Sequence, residues 1–204
     1  SFLAVKMDIN ENSRILGALS FAYYLGFALG AFLIEKVIRR IGHIRSFTTF
    51  AAIFSSLTII MGLIPSIPLW LVIRIFHGLC IAGIFVVVES WFLVIAGPKE
   101  RGRALALYMV GLYGAQVLSQ QILTYFDYSS FTPFAITAFL SSLSAIPVSL
   151  KKIDCPDVSS ASFLSIKKII GASVLGFVTC FFAGIALSLV YTLMPYYLLQ
   201  INFT

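Results

Sequence analysis

Long apolar runs separated by short polar intervals dominate the chain. Each run is long enough to supply the ~20 residues that a helix needs to cross a ~30 Å hydrocarbon core. The six runs cover residues 15–38, 46–64, 69–96, 104–123, 131–150 and 169–199. The pattern predicts an all-α membrane protein with six transmembrane helices.

The first run contains Gly26 and Gly30, which are four residues apart and share one face of a helix. Such a pair allows another helix to approach closely, although glycine is also simply tolerated in membrane helices. The sequence leaves both interpretations open.

The positive charges indicate how the spans are oriented. Of the 14 Lys and Arg residues, eleven lie in the intervals 35–45, 97–103 and 151–168, and only Lys6 and Arg14 lie on the other side. Because cytoplasmic loops carry the excess of basic residues, these three intervals are predicted to be cytoplasmic and both chain ends to lie outside. Basic residues scattered over short loops also argue against nucleic acid as a partner.

The composition supports the same environment and offers no catalytic chemistry. The chain is 60% hydrophobic and 11% charged, whereas a soluble domain is about 45–50% apolar and about 25% charged, so the lipid bilayer is the expected surrounding. The three cysteines have no metal or redox spacing, and His43 and His77 do not form an H-E-x-x-H motif. We therefore expect no enzyme activity, no catalytic residues, no metal and no cofactor.

The third run contains ionisable residues that are expensive in a membrane. Arg74, His77 and Glu89 lie within it, and a charge near the bilayer centre costs at least ~2.5 kcal/mol, so such residues face protein or water and usually have a function. Arg74 and Glu89 are separated by about 22 Å along the helix and by about 60° around it, so they cannot pair directly. Both can nevertheless face one cavity, with Ile81 and Phe85 between them.

Each of these residues also has a structural interpretation. Arg74 could extend to the outer interface beside Trp70, and Glu89 could be a protonated or locally paired residue that only packs helices. A role in substrate contact or proton coupling is favoured for Glu89, and a functional role is slightly favoured for Arg74. For His77, packing or bonding to the backbone is favoured over a proton relay.

Several short motifs, in order along the chain, resemble those of the major facilitator superfamily. R-I-G-H-I-R, which contains Arg40, Gly42 and Arg45, resembles the G-x-x-x-D-R-x-G-R-R loop, and R-I-F-H-G, from Arg74 to Gly78, resembles the family's R-x-x-x-G motif in its fourth helix. The E-R-G-R-A sequence at residues 100–104 resembles the R-G-R-A that follows that helix. V-V-V-E-S at 86–90 and L-M-P-Y-Y at 193–197 point to the YcaD-like branch of bacterial inner-membrane members.

The chain departs from the family pattern in two places. Glu35 occupies the glycine position of the loop motif and Arg39 occupies its aspartate position. The glycine-proline signature that drug antiporters carry in their fifth helix is absent from the fourth run. This second departure weakens an assignment to drug efflux.

The resemblance implies a fragment of a 12-helix fold, covering about the family's second to seventh helices. Residues 1–150 are then the first half without its first helix, 151–168 the central cytoplasmic loop, and 169–204 the first helix of the second half. The remaining helices of the same polypeptide are expected partners. The implied function is a secondary active transporter of the inner (plasma) membrane that moves a small solute, with protons, by alternating access. The alternatives are a drug or metabolite efflux antiporter, and a channel-like or non-transporting membrane protein.

The resemblance also implies further site residues. It places a carboxylate of the missing first helix beside Arg74, and it places Tyr191 on the central cavity as a substrate hydrogen-bonder, with aromatic packing as the equal alternative. Pro195 is expected to kink or unwind its helix near Tyr191. Gln116 and Gln120 share a face one turn apart, where interhelical bonding is at least as well supported as substrate contact.

Overall fold

The structure is a computed structural model that describes residues 13–95, 99–124, 131–150, 171 and 173–200. The chain forms two compact units, one of residues 18–156 and one of residues 1–17 with 157–204. Every regular element in the described residues is a helix, which confirms the all-α prediction. The six helices are α1 (Ser13–Ile41), α2 (His43–Leu63), α3 (Ile67–Ile95), α4 (Arg101–Thr124), α5 (Thr132–Leu150) and α6 (Val174–Gln200).

Five of the helices contain segments that are long and apolar enough to cross a membrane. These segments are Arg14–Ile41, His43–Leu63, Ile67–Phe92, Thr132–Leu150 and Val174–Tyr191. The α4 helix is long enough but less apolar, because it begins with Arg101 and Arg103 and carries Gln116 and Gln121 further along. The span predicted over 104–123 therefore stays a prediction.

The predicted cytoplasmic loop over residues 35–45 is mostly helical, and its predicted extent was wrong. The α1 helix continues to Ile41 and α2 begins at His43, so Gly42 alone separates them. Gly42 has a φ of 85°, in the left-handed region that glycine adopts without steric cost. Upstream of the turn, Arg39 donates to Glu35 one helical turn away at 2.7 Å, a pairing that supports the helix through this polar stretch.

Glycines bring α1 and α3 into close contact. A Cβ atom placed on Gly26 would overlap the carbonyl oxygen of Ile75, and one placed on Gly78 would overlap the carbonyl oxygen of Tyr23. A Cβ on Gly30 would lie 2.8 Å from the Cβ of Ala82. Of the two interpretations that the sequence left open for Gly26 and Gly30, the structure supports a close helix approach, with α3 as the partner.

The core of the larger unit is built from α1, α2 and α3. Its buried apolar cluster comprises Ile34, Ile38, Phe47, Phe50, Ala51, Cys80, Ala82, Val87 and Trp91. On the other side of α2, hydroxyl groups join this core to α5. Ser55 donates to the carbonyl oxygen of Ala138 at 2.8 Å and lies 2.8 Å from the Ser142 hydroxyl, so the two helices share polar contacts that lipid cannot supply.

The α6 helix belongs to the smaller unit and is continuous from Val174 to Gln200. Ser173 precedes it, and the Ser173 Oγ accepts a hydrogen bond from the Gly176 N–H at 3.0 Å, which caps the first turn. The unwinding expected near Tyr191 is wrong, because the backbone stays helical through Pro195. Membrane helices tolerate proline where local adjustments satisfy the freed carbonyl group.

Candidate functional site

Arg74 lies against α1. The contacts of Gly26 with Ile75 and of Gly30 with Ala82 show that α1 and α3 run in the same direction with a fixed register, which places Tyr23 level with Arg74. The guanidinium carbon of Arg74 lies 5.9 Å from the centre of the Tyr23 ring. The Nε atom of Arg74 is fully buried and has no hydrogen-bond acceptor. The Arg74 side chain therefore lies beside Tyr23.

His77 faces a different helix. It is buried, its Nε2 lies 3.3 Å from the Thr58 hydroxyl of α2, and its ring centre lies 4.6 Å from that of Phe54. The Thr58 hydroxyl in turn donates to the Phe54 carbonyl oxygen at 2.7 Å. This environment supports the packing role that the sequence already favoured for His77.

Glu89 lies near the C-terminal end of α3, on the side that faces α4. It is partly buried, and its carboxylate interacts electrostatically with the Tyr108 side chain. The Phe92 ring, one turn further along α3, packs against the Tyr108 ring with 5.3 Å between centres. Glu89 thus sits at the contact between two helices, with a phenol group as its neighbour.

Arg74 and Glu89 lie at two separate positions on α3. Between them, Phe85 packs edge-to-face against Phe27 of α1 with ring centres 6.1 Å apart. Arg74 contacts α1 whereas Glu89 approaches α4, so the 60° offset estimated from helix geometry is enough to direct them towards different neighbours. Within the described residues, Arg74 neighbours Tyr23 and Glu89 neighbours Tyr108, and the two charged residues do not contact each other.

The other candidates lie on more exposed surfaces. Gln116 is exposed on α4, and Tyr191 is 45% exposed on α6 in the smaller unit. Arg40 and Arg45, on either side of Gly42, are also exposed. No group of three or more metal-ligating side chains occurs in the part of the chain that the structure describes.

The turn at Gly42 is anchored on α3 by aromatic packing. His43, directly after Gly42, is buried and stacks on Trp91, with ring centres 6.4 Å apart and an interplanar angle of 26°. Phe47 stacks on the same indole at 6.3 Å. The motif turn and the end of α3 that carries Glu89 are therefore packed together.

Tyr23 and Tyr108 were not predicted as site residues. A signal for Tyr23 was present, because Tyr23 precedes Gly26 by one helical turn and so shares the face that the glycine turns towards α3. Tyr108 had no comparable signal. Its position depends on how α4 returns after the end of α3, which local sequence does not determine.

These features define a multi-pass membrane protein. Several apolar helices have membrane length, two of them are in close contact at glycines, and one of those two carries ionisable residues. The chain belongs to the Major Facilitator Superfamily, whose family model matches residues 2–204. This membership confirms the resemblance drawn from the motifs.

Curated relatives agree with the family assignment. Proteins of Escherichia coli O9:H4 (strain HS), E. coli O157:H7 (strain EC4115 / EHEC) and E. coli strain K12 / DH10B, each named "Uncharacterized MFS-type transporter YcaD", are 32% identical to the chain over 190 residues. The match covers 90% of this chain and 48% of each relative, so the chain spans about half the length of the curated relatives it matches. No solved structure gives a significant match.

Proposed function

We propose that the chain is part of a secondary active transporter of the inner (plasma) membrane, which moves a small solute by alternating access and uses the proton gradient. Family membership supports a transporter in preference to an enzyme. The observation that carries the proton coupling is Glu89, a carboxylate partly buried on a membrane helix beside Tyr108. Intramembrane carboxylates in transporters commonly bind and release protons.

In this proposal Glu89 changes charge as the transporter changes conformation. A protonated Glu89 is neutral and can remain between α3 and α4, whereas the ionised form favours contact with water. The packing of Trp91 against His43 supports a connection between Glu89 and the cytoplasmic turn at Gly42, because all of these residues lie at one end of the same bundle. A rocking motion of the bundle would then alter the water access of Glu89.

The solute pathway is proposed to include Arg74 towards the outside and Glu89 towards the cytoplasm, with Gln116 and Tyr191 as further solute contacts. His77 is assigned a packing role on α2, as its contact with Thr58 supports. Efflux in exchange for protons is the alternative direction within the same superfamily. The orientation of the pathway follows the basic residues at the cytoplasmic ends of the helices.

The test is solute flux through the intact protein in proteoliposomes, with and without an imposed pH gradient. A panel of radiolabelled metabolites and cationic drugs is assayed for uptake and for efflux. We expect gradient-driven accumulation of at least one solute, which Glu89→Gln abolishes because the amide cannot carry a proton. The matched control is Glu100→Gln, since Glu100 is exposed beyond the end of α3. Unchanged accumulation in Glu89→Gln would contradict the coupling role.

A further inference from the structure

We infer that Tyr108 is a positioning residue for Glu89. Its hydroxyl donates a hydrogen bond to the Glu89 carboxylate and so sets the pH range over which Glu89 binds and releases a proton. The inference rests on the proposed proton-coupled function and adds a second residue to that site. The Glu89 carboxylate of α3 and the Tyr108 phenol of α4 interact electrostatically, and both side chains are partly buried.

Aromatic packing holds the Tyr108 ring next to Glu89. The centres of the Tyr108 and Phe92 rings are 5.3 Å apart, with an interplanar angle of 39°. Phe92 follows Glu89 by three residues in α3, and side chains at this spacing are neighbours on one face of a helix. The Phe92 ring therefore holds the phenol against the same face of α3 that carries the carboxylate.

A phenol hydroxyl can bond to both protonation states of a carboxyl group. It donates to the ionised carboxylate, and its oxygen accepts from the O–H of the protonated acid. The bond to the ionised form is charge-assisted and about twice as strong as a bond between neutral groups. Tyr108 therefore favours the ionised form of Glu89 and offsets part of the cost of placing that charge in a membrane helix. Because the phenol is itself neutral, proton uptake by Glu89 does not have to break an ion pair.

Other charged and titratable groups lie at the same end of the larger unit. On α1, Glu35 pairs with Arg39, and on α2, His43 stacks on Trp91. The remaining ones among the described residues at this end are exposed: Lys36, Arg40, Arg45, Lys99, Glu100, Arg101 and Arg103. Salt screens exposed charges, and all of these groups are unchanged when the Tyr108 hydroxyl is removed. A comparison of the wild type with Tyr108→Phe therefore isolates the effect of the phenol hydroxyl.

The experiment titrates Glu89 by infrared difference spectroscopy of the intact protein in proteoliposomes, with protons as the only ligand. The carboxyl C=O stretching band that is lost in Glu89→Gln identifies Glu89, and its intensity is followed against pH. Tyr108→Phe keeps the aromatic ring and removes the hydroxyl. We expect the midpoint of the Glu89 titration to move upward by about 1 pH unit in this variant, because the ionised carboxylate loses a charge-assisted hydrogen bond.

Two further variants separate this effect from general changes in the helix contact. Tyr113→Phe is the matched control, because Tyr113 lies on the same helix and is 52% exposed, and its midpoint should equal that of the wild type. Phe92→Leu removes the ring that packs on Tyr108 and should move the midpoint upward by less than Tyr108→Phe does. Correct folding of each variant is checked by a monodisperse size-exclusion profile.

The outcomes distinguish this inference from the proposed function. A midpoint in Tyr108→Phe that equals the wild-type value or moves downward would overturn the inference, and so would an equal shift in Tyr113→Phe. If gradient-driven accumulation is nevertheless observed and Glu89→Gln abolishes it, the proposed function is retained. The expected shift without accumulation of any solute would retain the pairing of Tyr108 with Glu89 and refute proton-coupled transport. A wild-type protein in which no Glu89 band titrates would overturn both.

Discussion

Replacing Gly78 with alanine tests the contact between α1 and α3 that holds Tyr23 against Arg74. The added Cβ would overlap the Tyr23 carbonyl oxygen and lie 2.6 Å from the Phe27 backbone nitrogen, where ordinary contact begins at 3.4 Å, a shortfall of 0.8 Å. Both neighbours are backbone atoms that no rotamer change can move, so the two helices must separate.

The expected effect is a loss of stability of about 1–2 kcal/mol. Overpacking costs about 1–3 kcal/mol, and an overlap with backbone atoms that cannot move belongs in the upper part of that range, at about 2–3 kcal/mol. Replacing a helical glycine with alanine returns about 0.5–1 kcal/mol. A net loss of this size lowers the ratio of folded to unfolded protein by about 5- to 30-fold. The assay is thermal unfolding of the purified intact protein in detergent.

Two further glycines provide matched controls. A Cβ on Gly111 of α4 has nothing within 4 Å, so Gly111→Ala should be neutral or slightly stabilising. A Cβ on Gly62 would lie 2.7 Å from an edge atom of the Phe131 ring, which can move, and 2.9 Å from the Phe134 Cβ, which cannot rotate away. Because no backbone atom is among these contacts, Gly62→Ala should fall between the two. If Gly78→Ala proved no less stable than Gly111→Ala, the close contact of α1 with α3 would be wrong.

Two other predictions compare side chains that differ in hydrogen bonding. Ser55→Ala removes a buried hydrogen bond from α2 to the Ala138 carbonyl of α5 and should lower the free energy of unfolding by about 0.5–1.5 kcal/mol in thermal unfolding. Ser56→Ala removes a hydrogen bond within α2 and should lower it less. Equal losses of stability would contradict the interhelical role of Ser55. Trp70→Phe removes an indole N–H that donates to two carbonyl oxygens at 3.0 Å. It should destabilise the protein more than Trp91→Phe, because the Trp91 indole N–H has no acceptor. The reverse order in the same assay would refute the hydrogen bonds of Trp70.

The number and type of helices were predictable because they follow from local properties. An apolar run of about 20 residues has few stable conformations in a membrane other than a helix. Gly26 and Gly30 made a close helix contact one of two open interpretations, because small residues at this spacing lie on one face. The helix ends were less predictable, since Glu35 and Arg39 pair within α1 and extend it through a stretch that the charge pattern marked as a loop.

The environment of the site was less accessible from the sequence. The cost of placing Arg74 and Glu89 in a membrane helix identified both as candidates without any structural information. Gly26, one turn from Tyr23, signalled which face of α1 contacts α3. The contact of Glu89 with Tyr108 depends on how α4 packs on α3, which local sequence does not determine. Helical geometry allowed both charges to face one cavity, and that stays a prediction; the structure adds that Arg74 contacts α1 and that Glu89 approaches α4.

The proposed coupling of solute movement to protons through Glu89 is tested most directly by comparing two modes of transport in one variant. Proteoliposomes containing the intact protein with Glu89→Gln are assayed for solute exchange at equal pH and for accumulation against a concentration gradient driven by a pH gradient. Glu100→Gln and the wild type are the controls. We predict that Glu89→Gln retains exchange and loses accumulation. Accumulation at the wild-type level in Glu89→Gln would contradict proton coupling through Glu89.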